Sequence, residues 1–293
     1  MKMKTLPILL ATCLVLTACA RPTQVNTSTA NPAKTADILR FPTATATITP
    51  TPVPTPGDTR YELDGISFVV PACMALRPTV ETVPAVLPDP NAGPLMYFPE
   101  HRQVTFNGYP LNGKYFEPLL RVFPVAQFEP MSDMTADRIT RMREVLKDQS
   151  IEPKNTLPLL PGYNMMQVFH AQVKFLDFQS GQGLRWLTEL AQYSAPVNNR
   201  DLFYSYQGMT SDGKYWISVM LPVNAAYLQE TWDSTEVPPG GLSHPPAGSP
   251  NLADDLETYY TLMLVMLNNT PDASFTPALD CLDKLVASIS ITR

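Results

Sequence analysis

Between residues 165 and 175 apolar and polar side chains alternate with a period of two. Met165, Phe169, Ala171, Val173 and Phe175 fall on one side, and His170, Gln172 and Lys174 on the other. That alternation predicts a half-buried strand. Ser180-Gly181-Gln182-Gly183 reads as a turn into a second β-like run, Leu184 to Tyr193. Leu202 to Gly208 and Lys214 to Leu221 then flank Asp212-Gly213, a hairpin signature, with Tyr215, Ile217, Val219 and Leu221 forming one inward face. Four consecutive antiparallel strands in meander order are therefore the expected centre of the fold.

The flanking segments follow other periods. Tyr61 to Val70 reads as a tight hairpin around Asp64-Gly65, ended by Pro71. Pro78 to Pro99 reads as irregular, and Asn112-Gly113 separates two β-like runs, Gln103 to Tyr109 and Lys114 to Phe123, as a type I′ turn does. Ile139, Met142 and Leu146 recur at helical spacing within Ser132 to Gln149. Asn251 is the expected cap of a helix over Leu252 to Leu267, whose first turn holds Asp254 and Asp255. Thr276 with Pro277 is the expected start of a last helix, in which Leu279, Leu282, Leu285, Val286 and Ile289 draw one apolar stripe and Asp280, Asp283 and Lys284 lie off it. Ile289 and Ile291 can continue as a terminal strand. The fold class is α+β: an antiparallel sheet built from consecutive hairpins, flanked by about three helices in a single domain over residues 60–293.

The start of the chain has a different character. Lys2 and Lys4 precede an apolar run from Leu6 to Leu16, too short to span a bilayer, which takes about 20 residues. Leu16-Thr17-Ala18-Cys19 follows, and it resembles the lipobox of bacterial lipoproteins. The resemblance implies removal of residues 1–18, a thioether-linked lipid on Cys19, acylation of the new amino terminus, and an extracytoplasmic, membrane-anchored location. Residues 19–59 shift to Thr, Pro, Ala and Asn; Thr43 to Pro56 favours extended backbone, so this segment reads as a disordered spacer reaching at most about 120 Å. The Asp64-Gly65-Ile66-Ser67-Phe68 opening, the Leu285-Val286-Ala287-Ser288-Ile289 ending and the order of elements loosely resemble the PsbP/Mog1-type α/β/α sandwich, from which no functional residues carry over.

With Cys13 lost in the signal and Cys19 lipidated, the mature domain keeps Cys73 and Cys281. In an oxidising compartment these predict a disulfide; the alternative is two buried free thiols. A formal charge of −6 and a charged fraction of 16% leave no basic footprint, so nucleic acid is not an expected partner. His101, His170 and His244 have no metal-type neighbours, and no zinc, EF-hand, phosphate-loop or nucleophile-elbow motif occurs; no metal or cofactor is expected.

The aromatic group Phe203, Tyr204, Tyr206, Tyr215 and Trp216 is suggestive, with Tyr204, Tyr206 and Trp216 as a candidate stacking platform. At strand spacing such rings also serve as core. Trp232, beside a long loop from Glu236 to Pro250, is a candidate pocket rim. These features point to a non-enzymatic binding or scaffolding module held at the membrane by lipid, facing a surface protein or a glycan. The alternative is a surface hydrolase acting on glycan, peptide or lipid, which requires two or more acids or histidines to meet in one concave pocket.

Overall fold

The computed structural model describes residues 39–40, 57–88, 97–151 and 156–292; the expected signal sequence, Cys19 and most of the expected spacer lie outside the described residues. Strands β1 (Thr59–Leu63) and β2 (Ile66–Val70) form the first hairpin, turning at Asp64 and Gly65 with φ of 45° and 72°. A two-residue type I′ turn needs left-handed backbone at both positions, which the Asp-Gly pair tolerates. Next come β3 (Arg77–Val83), β4 (His101–Asn107), β5 (Leu119–Pro124), a short α1 (Val125–Phe128) and α2 (Asp133–Asp148). The expected meander follows as β6 (Ala171–Phe178), β7 (Gly181–Thr188), β8 (Phe203–Thr210) and β9 (Tyr215–Pro222). Helices α3 (Leu252–Asn269) and α4 (Leu279–Ala287) lead into a final β10 (Ser290–Ile291).

Seven strands make one antiparallel sheet in the order β3-β4-β5-β9-β8-β7-β6, and β10-β2-β1 make a smaller one. The large sheet is covered on both faces. Ile217, Val219 and Leu221 of β9 point into a core shared with β2, α3 and α4, whereas Trp216 and Met220 of the same strand join Ile139, Met142 and Leu146 of α2. The period-two pattern thus feeds two cores at once. Ser132 caps α2, its hydroxyl accepting the Thr135 N–H at 3.1 Å, and Gln149 ends it in the left-handed region at φ 49°. The described residues from Gly57 onward belong to one compact unit, an α+β domain.

Several expectations need correction. The alternation across residues 165–175 breaks at Gln172, which takes φ 54° at a bulge: Ala171 pairs with Leu187 but Lys174 with Arg185. One extra residue flips the faces, so Ala171 enters one core while Val173 and Phe175 turn to the other. The bulge is tied to the end of α3, with the Gln172 N–H on Asn268 Oδ1 (2.7 Å) and its amide on the Leu267 and Thr270 carbonyls. The turn before β7 falls at Gln179 and Ser180, leaving Gly181 and Gly183 inside the strand. Gly183 stands opposite Gly208, and a Cβ there would come within 2.6 Å of the Tyr206 ring that lies across both glycines.

Arg77 to Val83 is not irregular but an edge strand, where Pro78 is tolerated because one side of the strand has no ladder to complete. β4 and β5 do pair, through a loop over 108–118 rather than a two-residue turn. Asn251 makes no side-chain cap; the Ser249 hydroxyl instead donates to Asp255 in the first turn. Thr276 pairs with Asn224, and α4 begins at Leu279. Within the expected spacer, the backbone of Leu39–Arg40 pairs with Ser150–Ile151, and Asp58 accepts the Ala72 N–H at 2.8 Å just ahead of β1.

Cys73, between β2 and β3, is joined by a disulfide to Cys281 on α4, with Cα atoms 6.4 Å apart. Asp283 does not lie off the apolar stripe; it is buried against the sheet, where Lys174 (2.8 Å), Tyr204 (2.9 Å) and Arg185 (3.4 Å) converge on its carboxylate from β6, β8 and β7. The Asp-Gly-Ile-Ser-Phe and Leu-Val-Ala-Ser-Ile segments meet at this end of the domain: Ser288 donates to the Val69 carbonyl and accepts its N–H, and Ser290 pairs with Ser67.

Candidate functional site

The candidate platform is not a surface. Tyr204, Tyr206 and Trp216 are each 0% exposed, and they lie on opposite faces of the sheet, the tyrosines in one core and Trp216 in the other. Register decides the face: Tyr204 and Tyr206 pair with Leu221 and Val219, whereas Trp216 pairs with Met209, so Trp216 projects to the side opposite the tyrosines. Their polar atoms are satisfied internally. Tyr206 Oη donates to the Leu176 carbonyl (2.9 Å), and Trp216 Nε1 donates to Gln207 Oε1 (2.7 Å).

Exposed aromatics gather instead at one end of the large sheet. There β7 stops at Thr188 opposite Phe203, and Phe203 in turn faces Pro222 at the end of β9. The loops leaving these ends enclose a cleft of about 880 Å³. Phe116, Tyr163 and Tyr115 line it, together with Tyr193 and Trp232. Tyr115, Tyr193 and Trp232 are 53%, 58% and 45% exposed. Phe116 is anchored edge-on against Phe203 (4.9 Å between centroids) and Tyr163 (5.4 Å), so this wall is an outgrowth of the second core.

The polar part of the cleft is built around Asn198. After Thr188 the chain leaves the main sheet, and Leu190–Ala191 pairs with Met166–Gln167. Glu189 sits at this break, buried, with its carbonyl accepting the Val168 N–H (3.0 Å). Its Oε1 accepts the Asn198 N–H at 2.6 Å, while Asn198 Nδ2 donates to Asp201 Oδ2 at 3.0 Å. One residue therefore holds both carboxyl groups. The Asn198 side-chain carbonyl accepts the N–H groups of Arg200 (3.1 Å) and Asp201 (3.2 Å), the Asx turn that an Asn ahead of a strand forms readily.

The surrounding loop is held from several directions. Asn199 and Arg200 donate to the Gln229 and Glu230 carbonyls, the Tyr115 N–H to the Arg200 carbonyl, and the Tyr259 hydroxyl of α3 accepts the Val197 N–H. Lys114 Nζ donates to the Asn199 carbonyl (2.5 Å) and to Asn224, and burial lowers its pKa. The two acids are thus fixed before any ligand arrives.

Burial pushes the Glu189 carboxyl well above the usual carboxylate range, and the Asp201 charge pushes it the same way; the Asn198 N–H works against both. Glu189 is accordingly biased toward the neutral acid, which donates one hydrogen bond and still accepts others. This has a measurable sign. Below the ordinary value of 4.5 both folded and unfolded chains hold the proton. Above it only the unfolded chain releases it, so stability falls as pH rises, by up to about 1.4 kcal/mol per unit, until the folded group ionises. Glu189→Gln removes that dependence while keeping the acceptor for Asn198, so its stability relative to wild type should increase with pH above 4.5 in denaturant unfolding. A pH-independent difference contradicts a raised Glu189.

The histidines stand elsewhere. His101 is buried between Phe98 and Phe123, with Nδ1 donating to the Pro99 carbonyl (3.0 Å), and desolvation lowers it to about 4. Its contribution to stability rises with pH from about 4 to 6.5, opposite to that of Glu189, which is why the comparison with Glu189→Gln isolates the carboxyl. His170 is half-buried and lowered by desolvation. His244 packs edge-on against Tyr259 and lines a neighbouring cleft of about 520 Å³. Asp254 and Asp255 remain in the first turn of α3. Among the described residues no group of three or more His, Cys, Asp or Glu could hold a metal ion, and no helix is long and apolar enough to cross a membrane.

Trp232 is at the rim, as its loop position suggested; Glu189, Asn198 and Asp201 drew no attention in the sequence. The available signals were the lone acid in the strand-like run Leu184 to Ala191, and the Asn198-Asn199 pair ahead of a strand. No family model, curated protein or solved structure matches the chain.

Proposed function

We propose that this chain is a lipid-anchored extracytoplasmic binding module whose ligand occupies the aromatic cleft. Cys19 carries the lipid, the Thr/Pro-rich segment acts as a spacer, and the domain presents the cleft to its surroundings. Two or more acyl chains, at about 0.8 kcal/mol per buried CH₂, hold a protein on a membrane where one holds it only marginally. The observation that carries the binding reading is the cleft itself: exposed rings on one wall, and Glu189 and Asp201 both fixed by Asn198 on another. Concave, largely apolar sites with a few placed polar groups are the usual form of ligand sites.

The anchor is tested by feeding an alkyne-tagged fatty acid to cells that express the wild-type chain or Cys19→Ala. We expect label on the wild-type protein alone; equal labelling of both variants contradicts the anchor.

A second reading draws on the acid pair. A carboxyl biased toward its protonated form, close to a second carboxylate, is the arrangement in which a general acid and its partner work on glycosidic bonds. Under that reading Glu189 gives up a proton to the leaving oxygen, and Glu189→Gln abolishes turnover while sparing binding.

A further inference from the structure

The Tyr193 and Trp232 rings pack edge to face, 6.4 Å between centroids and 83° between planes, and both remain about half exposed. They line the Glu189 cleft, and they also line the neighbouring cleft that holds His244 and the hydroxyl-bearing residues Ser234, Thr235 and Ser243. Ala195 is common to both as well, so the two depressions adjoin along a shared aromatic ridge. Large rings left in water at the junction of two clefts are a surface awaiting a partner.

We propose that the two clefts form one groove for a neutral oligosaccharide, with sugar rings stacked on Tyr193 and Trp232 and hydroxyls bonded by Glu189, Asp201 and Arg200. The assignment rests on the binding reading above and names the class of its ligand. The chemistry of the lining selects among ligands. A pyranose offers an apolar C–H face to an aromatic ring, while each of its hydroxyls both donates and accepts a hydrogen bond. The lining carries groups for both needs: Asp201, Gln192 and Asn164 bear acceptor oxygens, and Arg200 bears donors. A neutral Glu189 acid does both.

Other ligands fit less well. An acyl chain would cover Glu189, Asp201 and Arg200 without offering any of them a partner, which is unfavourable for polar groups leaving water. A polyproline peptide can stack on the rings, but its backbone presents carbonyl acceptors without N–H donors, so it adds no hydrogen bond to Asp201. A strongly charged ligand would meet an acid and a guanidinium side by side at Asp201 and Arg200. A chain of sugars is favoured over a single one because the clefts lie on either side of one shared ring pair.

The chain carries its own reporter. Of its three tryptophans, Trp186 and Trp216 are fully buried, so Trp232 alone is open to a quencher. The test uses the full chain in a polyoxyethylene detergent, which brings no sugar headgroups, with cellotetraose, the N-acetylglucosamine tetramer and a hexaproline peptide as probes. Binding is read by calorimetry and by iodide quenching of Trp232. We expect at least one tetrasaccharide to bind and shield Trp232. Trp232→Ala should weaken that affinity at least about tenfold, and so should Asp201→Asn, whereas Trp232→Phe largely retains it. Calorimetry reads the Trp232 variants, and thermal midpoints near the wild-type value show that they remain folded.

Failure of both tetrasaccharides to bind overturns the proposal, as does binding that Trp232→Ala and Asp201→Asn leave unchanged. Shielding of Trp232 by hexaproline alone overturns the sugar assignment but keeps the groove as a binding site. If no probe shields Trp232, the sugar assignment and the groove are overturned together.

Discussion

Replacing both Cys73 and Cys281 by Ala is expected to lower stability by up to about 5 kcal/mol, the largest effect of any change considered. The bond closes a loop of 208 residues, so in the unfolded chain it removes the entropy of nearly the whole domain. For a domain of this size that corresponds to a fall in Tm of about 15 °C. It is also a large share of the 5–15 kcal/mol that holds typical domains together. The location makes the bond more than a distant tie. It pins α4 to the segment that follows β2, and β10 then adds to the small sheet from the end of the same helix. Calorimetry on the double variant, or on wild type with and without reductant, checks this; a midpoint within about two degrees of wild type contradicts it.

The second large effect is expected at Asp283. Its carboxylate is the partner of Arg185, a guanidinium buried under α4 whose remaining contact is Asp272 at 3.3 Å, and it also takes the Lys174 ammonium and the Tyr204 hydroxyl. Asp283→Ala leaves the buried Arg185 cation with the partly exposed Asp272 as its remaining ion pair, so a loss of up to about 4 kcal/mol is expected. The pair as a whole is another matter, because desolvation offsets most of its attraction. Replacing both groups, Arg185→Met with Asp283→Leu, should therefore cost less than Asp283→Ala alone. A double variant less stable than the single one, in urea unfolding at neutral pH, contradicts the reading of Arg185 as a cation that needs its partner more than the fold needs the pair.

These two sites show how far the chain could be read in advance. The hairpins at Asp64-Gly65 and Asp212-Gly213, the meander from β6 to β9, helix α2 and the Cys73–Cys281 bond were legible, because each is written in local turn chemistry, period or residue count. Asp283 was misplaced for a reason of physics. Helical periodicity assigns a charged residue to the solvent face, and the guanidinium that draws it inward is 98 residues away in sequence, on β7. The bulge at Gln172 was hidden similarly, since its support comes from the end of α3.

The cleft was legible only at Trp232. Glu189 is the one acid of a strand-like run, but nothing local says whether it faces water or the interior. Its environment arises where β7 departs from the sheet, and from the Asn198 N–H that arrives after a loop. The aromatic rings suffered the converse error. Tyr204, Tyr206 and Trp216 were conspicuous because strands concentrate aromatics, and strands concentrate them because they pack.

The acid-pair reading depends on the proton at Glu189, and the sugar assignment uses it as a donor at the cleft, so the most direct measurement is the titration of that carboxyl by NMR, with ¹³C placed in Glu and Glu189→Gln used to assign the signal. We expect a midpoint well above the usual carboxylate range, moving again when a ligand fills the cleft. An ordinary midpoint near 4.5, unaffected by any ligand that shields Trp232, would contradict the site described.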